Sequence, residues 1–252
     1  MLRLFRAIAM RLDVYLFERG LADSRTDAKN LIQSGAVSIS GVVIKKPAYS
    51  IDENDIALVA VDRQMKKYVS RGGFKLEAAL GTFDIDISGK LCIDVGASTG
   101  GFTDCLLQNG ARRVIAIDSG TSQLSPSLKS DERVISIENY NARYLDKNDL
   151  PYVPEIAVMD VSFISATYII KPVFDALRPN GAFVCLVKPQ FEVGRENIGK
   201  GGIVKTEKAR LNALNKVVDY ARSVGFEFRG SIVSPIEGGD GNIEYLAYFI
   251  KR

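Results

Sequence analysis

The stretch Leu91-Cys92-Ile93-Asp94-Val95-Gly96-Ala97-Ser98-Thr99-Gly100-Gly101-Phe102 decides the fold of this 252-residue chain. Residues 91–95 form a short apolar run typical of a buried parallel strand, and the glycine-rich residues 96–101 follow as a loop. Phe102 opens a predicted helix that continues through residue 107. Strand, loop and helix in this order indicate an α/β sheet whose loop lies beside a bound ligand.

An acidic residue further along favours a ligand that contains a nucleoside. The next predicted strand, residues 113–118, ends at Asp118, about 20 residues past the loop, where an acid can bind ribose hydroxyls. The loop is not the dinucleotide pattern G-x-G-x-x-G, because its close glycine pair comes late, and no Walker lysine follows. It resembles the S-adenosylmethionine site of Rossmann-like methyltransferases. A plain tight turn between strand and helix is the alternative.

Length and composition indicate two domains and no membrane segment. With 46% hydrophobic residues, 252 positions suffice for an α/β domain and a second, smaller one. No run approaches the roughly 20 apolar residues of a membrane span, and residues 1–9 lack the apolar core of a signal peptide. We therefore expect a cytoplasmic protein with no membrane partner, whose natural start is Met1 or Met10.

The absence of histidine narrows the chemistry. A chain without His cannot carry a Ser-His-Asp triad or the usual zinc site, so no metal is expected. Proton transfer must fall to Lys, Asp, Glu or Tyr. The three cysteines lie in predicted strands and a predicted helix without metal-ligand spacing, which indicates reduced core residues.

Residues 10–61 form a separate module in the sequence, after an N-terminal extension over residues 1–9. Asp13 is expected to cap one short helix, and Ser24 a second that stops at Gly35. Residues 37–44 alternate around a Ser-Gly turn, and residues 56–61 form another predicted strand. A charged linker, residues 62–69, leads to the second domain, residues 70–252.

The N-terminal module carries the excess positive charge. Residues 1–69 contain 11 Lys and Arg against 8 Asp and Glu, which accounts for the whole net charge of +3. The pattern over residues 11–61 resembles the alpha-L RNA-binding motif of ribosomal proteins and pseudouridine synthases. An ordinary solvated surface is the alternative. The candidate RNA-binding residues are Arg11, Arg19, Arg25, Lys29, Lys45 and Lys46.

Polar residues follow the later strands of the second domain. Predicted strands over residues 155–159 and 182–187 end at Asp160 and Lys188, and the carboxyl ends of parallel strands form the ligand crevice. An antiparallel last strand, residues 243–250, would enter at the same rim and bring Glu244 beside Lys188. An ion-pair network without catalytic function is the alternative, since such networks also gather charges at sheet rims.

Five sequence blocks resemble the TlyA family of ribosomal RNA 2'-O-methyltransferases, which is related to FtsJ-like enzymes and often named haemolysin A. The blocks are residues 70–76, 94–102, 160–165, 186–192 and 241–245. The resemblance implies an α/β, Rossmann-like S-adenosylmethionine-dependent methyltransferase sheet with an antiparallel end strand, preceded by a small α+β RNA-binding domain. It also implies S-adenosyl-L-methionine as methyl donor, and ribosomal RNA or a ribosomal subunit as partner. The implied acceptor is a cytidine ribose, with large-subunit RNA as the expected target.

The family's catalytic tetrad maps onto Lys75, Asp160, Lys188 and Glu244. Lys188 is the candidate general base, because a ribose hydroxyl must lose its proton as it attacks the methyl group in line. To act, Lys188 must itself be neutral, which burial or the nearby cation of Lys75 would favour and the two carboxylates would oppose.

The remaining candidate residues surround the cofactor and the base. Asn141 is expected near the adenine, although a turn cap is about as well supported. Phe163 and Phe191 either stack on a flipped-out base or belong to the core. Residues 191–204 are expected to form a mobile loop over the site, which either clamps RNA or merely connects two elements. The cofactor candidates are Asp94, Gly96, Ala97, Ser98, Thr99, Gly100, Gly101, Phe102, Asp118, Asn141 and Asp160.

Two functions of other classes stay open at this point. A catalytically silent factor could keep the fold and bind ribosomal RNA during subunit assembly. A membrane-disrupting haemolysin has no support in the sequence, because no strongly basic amphipathic helix is present.

Overall fold

The computed structural model describes residues 10–62, 67–238 and 241–252. The predicted N-terminal extension, residues 1–9, and residues 63–66 of the predicted linker lie outside the described residues. The chain divides into two compact units, Met1–Ser70 and Arg71–Arg252. Each unit has an apolar core of its own.

The first unit is a small α+β fold around a core that includes Leu12, Leu16 and Ile32. Its helices are α1 (Leu12–Glu18), α2 (Arg25–Ser34) and α3 (Glu53–Ile56). Its strands are β1 (Met10–Arg11), β2 (Val37–Ile39), β3 (Val42–Val43), β4 (Ser50–Ile51) and β5 (Val59–Val61). Strands β1 and β4 pair with each other, and β3, β2 and β5 form an antiparallel sheet.

The structure confirms the second predicted cap and corrects the first. Ser24 Oγ accepts a hydrogen bond from the Asp27 N–H at 3.0 Å, and Gly35 ends α2 with φ +83°. Asp13 does not cap α1. The helix begins at Leu12, so Asp13 lies inside the first turn, fully buried, where its carboxylate pairs with arginines.

The strand predicted over residues 56–61 is too long. Asp52 accepts hydrogen bonds from the N–H groups of Asn54 and Asp55, and Asp55 binds back to the Asp52 N–H. This capping box nucleates α3, which includes Ile56. The strand therefore starts only at Val59.

The second unit contains a seven-stranded sheet in the order β11-β12-β10-β9-β6-β7-β8. Its strands are β6 (Leu91–Val95), β7 (Arg113–Ile117), β8 (Val134–Ile137), β9 (Ile156–Met159), β10 (Ala182–Val187), β11 (Phe226–Val233) and β12 (Tyr245–Lys251). Its helices are α4 (Gly72–Phe83), α5 (Gly101–Gln108), α6 (Pro126–Lys129), α7 (Thr167–Ala176) and α8 (Glu207–Val224).

The chain order of the sheet places a crevice at its centre. From β6 the chain passes to β7 and β8 on one side, then returns to β9 and β10 on the other, and these neighbours pair in parallel. Ligands bind outside the carboxyl ends of strands at such a reversal. Strand β12 runs antiparallel between β10 and β11, as expected for the last strand.

The apolar residues of the strands and helices explain this arrangement. Strands β9 and β10 are buried at every position, as expected for parallel strands covered on both faces. Helices α7 and α8 contribute to one large core cluster with the buried rings of Phe183 and Phe249. The three cysteines are free and buried, as predicted, and burial raises the pKa of the Cys92 thiol to about 12.

Candidate active site

The sheet brings three of the four predicted catalytic residues to one rim. Asp160 directly follows β9, Lys188 directly follows β10, and Glu244 directly precedes the antiparallel β12. Val187 and Tyr245 are register partners, so Lys188 and Glu244 occupy the next position along the ladder.

The fourth residue, Lys75, reaches this rim from the first turn of α4. Its Nζ donates a hydrogen bond to Glu244 Oε2 at 2.6 Å. The side chains of Lys75 and Glu244 are 10% and 2% exposed, so the pair is nearly dry. Removing either partner would leave an uncompensated buried charge, which is strongly destabilising.

Lys188 forms a second ion pair, with Asp160. Nζ lies 2.6 Å from Asp160 Oδ1, and it donates a hydrogen bond to Ser162 Oγ, also at 2.6 Å. The structure thus pairs each lysine with its own carboxylate, Lys75 with Glu244 and Lys188 with Asp160, at neighbouring positions of the rim.

The glycine loop is shaped by the strand that carries Asp160. The Asp160 N–H donates to the Val95 carbonyl at 3.0 Å. Gly96 has φ +85°, and a Cβ there would clash with the Asp160 carbonyl oxygen. Gly96 therefore serves a close approach between two strand ends, which is one reason for glycine at this position.

Asp118 organises the loop from the end of β7. Its two oxygens accept hydrogen bonds from the Ser98 N–H and the Gly120 N–H, both at 2.7 Å. Each carboxylate oxygen has two lone pairs, so these bonds leave acceptor capacity for ribose hydroxyls. The structure adds a loop-ordering role that the sequence pattern did not indicate.

Asp94 is fully buried below the loop. Thr103 Oγ1 donates to Asp94 Oδ2 at 2.7 Å, whereas Oδ1 has no hydrogen-bond partner within the described residues. Burial raises the pKa of Asp94 to about 7, and the negative charges of Asp160 and Asp118 act in the same direction. A buried acceptor without a partner is costly unless a ligand satisfies it.

The other candidate cofactor-binding residues of the loop differ in their exposure to solvent. Ser98 and Thr99 are exposed, whereas Ala97 and Phe102 are 7% and 3% exposed, so the Phe102 ring belongs to the core. Gly101 begins α5 after Gly100, which has φ +98°. The first amides of this helix have no partner in the helix itself and favour an electron-rich ligand.

Asn141 has the turn-capping role that the sequence left open. Its Oδ1 accepts a hydrogen bond from the Arg143 N–H at 3.1 Å, at the start of a 3₁₀ turn over Ala142–Tyr144. A contact with adenine stays a prediction.

Phe163 is not a core residue. Its side chain is 92% exposed, and its backbone has φ +64°, which is unfavourable for a bulky residue. The ring of Phe191 lies at 5.4 Å from the Phe163 ring, centroid to centroid, and is partly buried. A strained, exposed aromatic ring beside Ser162 is available to a ligand.

Buried Asn242 ties down the segment predicted as a mobile loop. Its Oδ1 accepts from the Val204 N–H and its Nδ2 donates to the Gly202 carbonyl, both at 3.0 Å. The segment forms short 3₁₀ turns over Arg195–Asn197 and Lys200–Gly202. A cavity of about 310 Å³ lies between this segment and α8, and its lining includes neither Lys188 nor Asp160.

Sequence reasoning gave no role to two residues of this region. Ser162 contacts Lys188 directly, and Glu192 is a buried acid that binds Ser165, Ala166 and Lys216. Both residues lie within blocks that carried the family resemblance, but only the folded chain shows their partners.

The six candidate RNA-binding residues of the first unit are all exposed, although three of them contact neighbouring side chains. Arg11 donates two hydrogen bonds of 2.9 Å to the Asp13 carboxylate, and Arg25 lies 3.8 Å from it. These hydrogen bonds from Arg11 hold the pKa of Asp13 below its usual value. Arg19 lies over the Tyr15 ring at 5.8 Å.

Comparison with known families agrees with this geometry. Residues 68–251 match the FtsJ-like methyltransferase family, and residues 10–56 match the S4 domain. The chain belongs to the FtsJ-like methyltransferase family. The family assignment confirms the predicted activity class, methyl transfer with S-adenosyl-L-methionine as donor.

Curated relatives of this FtsJ-like methyltransferase match over nearly their full length. Hemolysin A of Brachyspira hyodysenteriae is 44% identical over 244 residues, covering 96% of this chain and 100% of that protein. The 16S/23S rRNA (cytidine-2'-O)-methyltransferase TlyA of Mycobacterium tuberculosis is 40% identical over 238 residues, covering 94% and 88%. These relatives confirm the resemblance to the TlyA family.

Solved structures confirm the fold class. "Putative hemolysin from Streptococcus thermophilus" has a TM-score of 0.76 and 43% identity, with coverage of 96% of this chain and 88% of that one. Aeropyrum pernix fibrillarin has a TM-score of 0.52 and 16% identity, with coverage of 71% and 76%, and shows a common fold alone. Within the part of the chain that the structure describes, no helix of this FtsJ-like methyltransferase has the length and apolarity needed to cross a bilayer.

Proposed function

We propose that this protein transfers a methyl group from S-adenosyl-L-methionine to a ribose 2'-hydroxyl of ribosomal RNA, at a cytidine of the large subunit. The observation that carries the proposal is the Lys188–Asp160 pair, which stands at the carboxyl rim beside a glycine loop. The names of the TlyA relatives and the N-terminal S4 domain support the RNA substrate.

The residues of the rim suit the cofactor. The loop over residues 96–101 offers backbone N–H groups, Asp118 offers acceptors for ribose hydroxyls, and Asp94 Oδ1 lacks a partner among the described residues. A cationic amino group is a suitable partner for a buried carboxylate. When bound, S-adenosyl-L-methionine supplies an electrophilic sulfonium methyl group.

Lys188 is the proposed general base. Asp160 and Ser162 hold its Nζ in one orientation, and a ribose hydroxyl within hydrogen-bond reach of Nζ could give up its proton there. The ammonium form must first lose a proton. Ser162 is exposed and can pass a proton to solvent, because a hydroxyl both donates and accepts.

Lys75 and Glu244 have a supporting role in this proposal. Their nearly dry ion pair brings a balanced pair of charges beside the base, so no net charge is added at the rim. Glu244 also fixes α4 to the end of β12, because Lys75 belongs to α4. The reaction then depends mainly on positioning, as expected for in-line displacement.

The proposed function is tested with purified protein, labelled S-adenosylmethionine and three acceptors: large subunits, small subunits and free ribosomal RNA. We expect label in large-subunit RNA at a single cytidine. The phosphodiester bond on the 3' side of this cytidine should become resistant to alkaline cleavage, because its 2'-hydroxyl is methylated. Binding to subunits without transfer of label would instead favour a silent assembly factor. Leakage of lipid vesicles would favour the haemolysin class.

Replacing Phe163 by alanine is expected to reduce kcat/KM for RNA by about 5- to 150-fold, because stacking of a base on an aromatic ring contributes about 1–3 kcal/mol. Thermal stability should not fall, since the ring is 92% exposed. Methylation kinetics at varied RNA concentration and calorimetric cofactor binding check this. Tyr220→Ala, an exposed aromatic on α8, is the control. Unchanged kcat/KM in Phe163→Ala contradicts the stacking role.

The triple variant Lys29→Ala, Lys45→Ala, Lys46→Ala is expected to weaken RNA binding. All three lysines are exposed in the S4 unit, and for each phosphate that is no longer neutralised the slope of log K against log salt becomes shallower by about 1. Fluorescence anisotropy at several salt concentrations measures this slope. Lys90→Ala is a suitable control. Lys90 directly precedes β6 and so lies at the amino ends of the parallel strands, whereas the candidate active site lies at their carboxyl ends. An unchanged slope would assign these lysines to ordinary surface.

A further inference from the structure

Glu192 is a buried carboxylate whose three partner residues lie on two segments of the chain. Its side chain is 2% exposed. Oε2 accepts a hydrogen bond from Ser165 Oγ at 2.6 Å, and Oε1 accepts one from the Ala166 N–H at 2.7 Å. Lys216 of α8 donates to Oε2 at 3.1 Å and to the Glu192 carbonyl oxygen at 3.0 Å.

These contacts join the two segments that leave the proposed catalytic pair. Glu192 lies four residues after Lys188, and Ser165 lies five residues after Asp160. Short tethers therefore connect the Glu192 carboxylate to both members of the ion pair. The segment over residues 160–166 also carries Ser162, which contacts Lys188, and Phe163, whose backbone is strained.

The N-terminus of α7 favours an anion at this point. Ala166 is the N-cap of α7 and has no side-chain cap of its own. The first amides of a helix lack partners within the helix, and its N-terminus favours negative charge. Glu192 satisfies one such amide, while Lys216 compensates the buried charge.

We propose that Glu192 is a positioning residue, which clamps the segment over residues 160–166 so that Asp160 and Ser162 hold Lys188 in its reactive orientation. The inference rests on the proposed function, since it assigns Glu192 to the geometry of the same base. It goes further in naming a residue that touches neither substrate nor cofactor in this role.

The first test compares Glu192→Ala with Glu192→Gln. Alanine removes both acceptors, so kcat should fall at least tenfold while KM for S-adenosylmethionine changes less than twofold. Glutamine keeps one oxygen for the Ala166 N–H and should recover a large part of kcat. The control is Glu196→Ala, which should behave as wild type. Glu196 is an exposed acidic residue four positions after Glu192. Equal kcat in Glu192→Ala and wild type would overturn the proposal, as would a loss confined to KM.

A double-mutant cycle separates positioning from simple stabilisation. If Glu192 acts through the segment that carries Ser162, the losses in kcat of Glu192→Ala and Ser162→Ala should not add, because one variant already releases the hydrogen bond that the other removes. Additive losses would show that Glu192 acts independently of Ser162 and would overturn the clamp.

Amide hydrogen exchange gives a result that does not depend on turnover. In Glu192→Ala, peptides covering residues 161–168 should exchange faster than in wild type, while peptides of β6 and β7 should be unchanged. Unchanged exchange over residues 161–168 would overturn the clamp. A wild-type protein that transfers no methyl group refutes the proposed function alone, because the exchange experiment still tests the clamp.

Discussion

Replacing Lys188 by alanine is expected to reduce kcat for methyl transfer by about 10²- to 10⁴-fold, the usual contribution of a positioned general base. The fold should persist, because Lys188 follows the last residue of β10 and its ammonium group lies at the rim. The variant leaves Asp160 without its cation, so some loss of stability is also expected. Single-turnover methylation, with circular dichroism of the same samples, measures both effects.

The variant Lys188→Arg distinguishes a base from a structural cation. Arginine can still pair with Asp160, but its guanidinium does not lose a proton in proteins. Lys188→Arg should therefore be nearly as inactive as Lys188→Ala while keeping wild-type stability. Lys171→Arg is the matched control, because Lys171 forms an exposed ion pair with Asp175 on α7. Substantial activity in Lys188→Arg would exclude Lys188 as the base.

Replacing Asp94 by asparagine is expected to stabilise the protein at pH 8 and to weaken cofactor binding. The folded protein raises the pKa of Asp94 from 3.8 to about 7, so it binds this proton more tightly than the unfolded chain does. The resulting stabilisation is complete below about pH 4 and is lost as pH rises through 7. The difference between these two pKa values corresponds to a change in the free energy of unfolding on the order of 4 kcal/mol.

Asparagine removes this pH dependence, because it cannot ionise and can still accept the hydrogen bond from Thr103. Urea unfolding between pH 4 and pH 8 checks the stability. Calorimetry should show binding of S-adenosylmethionine weakened at least tenfold, if the orphan oxygen meets the cofactor. Asp219→Asn, an exposed acid on α8, should leave both quantities unchanged. If Asp94→Asn retains the wild-type loss of stability between pH 4 and pH 7, the buried carboxyl is not its source.

The sequence predicted which residues lie at the rim of the sheet, because the ends of parallel strands follow a general rule. The carboxyl ends of parallel strands meet at one edge, so Asp160 and Lys188 had to lie there once their strands were recognised. The predicted strands over residues 91–95 and 182–187 match the observed bounds of β6 and β10. The family resemblance supplied Lys75, since a lysine near a helix start is usually a solvated residue.

The sequence could not predict the side-chain partners within the site, because these depend on the direction in which each side chain points. The sequence does not show which lysine pairs with which carboxylate. Lys75 and Glu244, for example, form an ion pair although 169 positions separate them in the chain. Glu192 binds Ser165 and Lys216 across 27 and 24 residues, and no local pattern marks such partners. Asp13 was misplaced because an acid at a cap and an acid in the first turn look alike in sequence.

The position of β12 between β10 and β11 links the edge of the sheet to the candidate site. Strand β11 precedes β12 in the chain, yet it is joined to the sheet through β12, which pairs with β10. The same pairing brings Glu244 to Lys75. Attachment of the edge strand β11 and neutralisation of the buried Lys75 ammonium group therefore depend on the same strand. A variant truncated before Glu244 would lose both the β12 pairing and the carboxylate partner of Lys75.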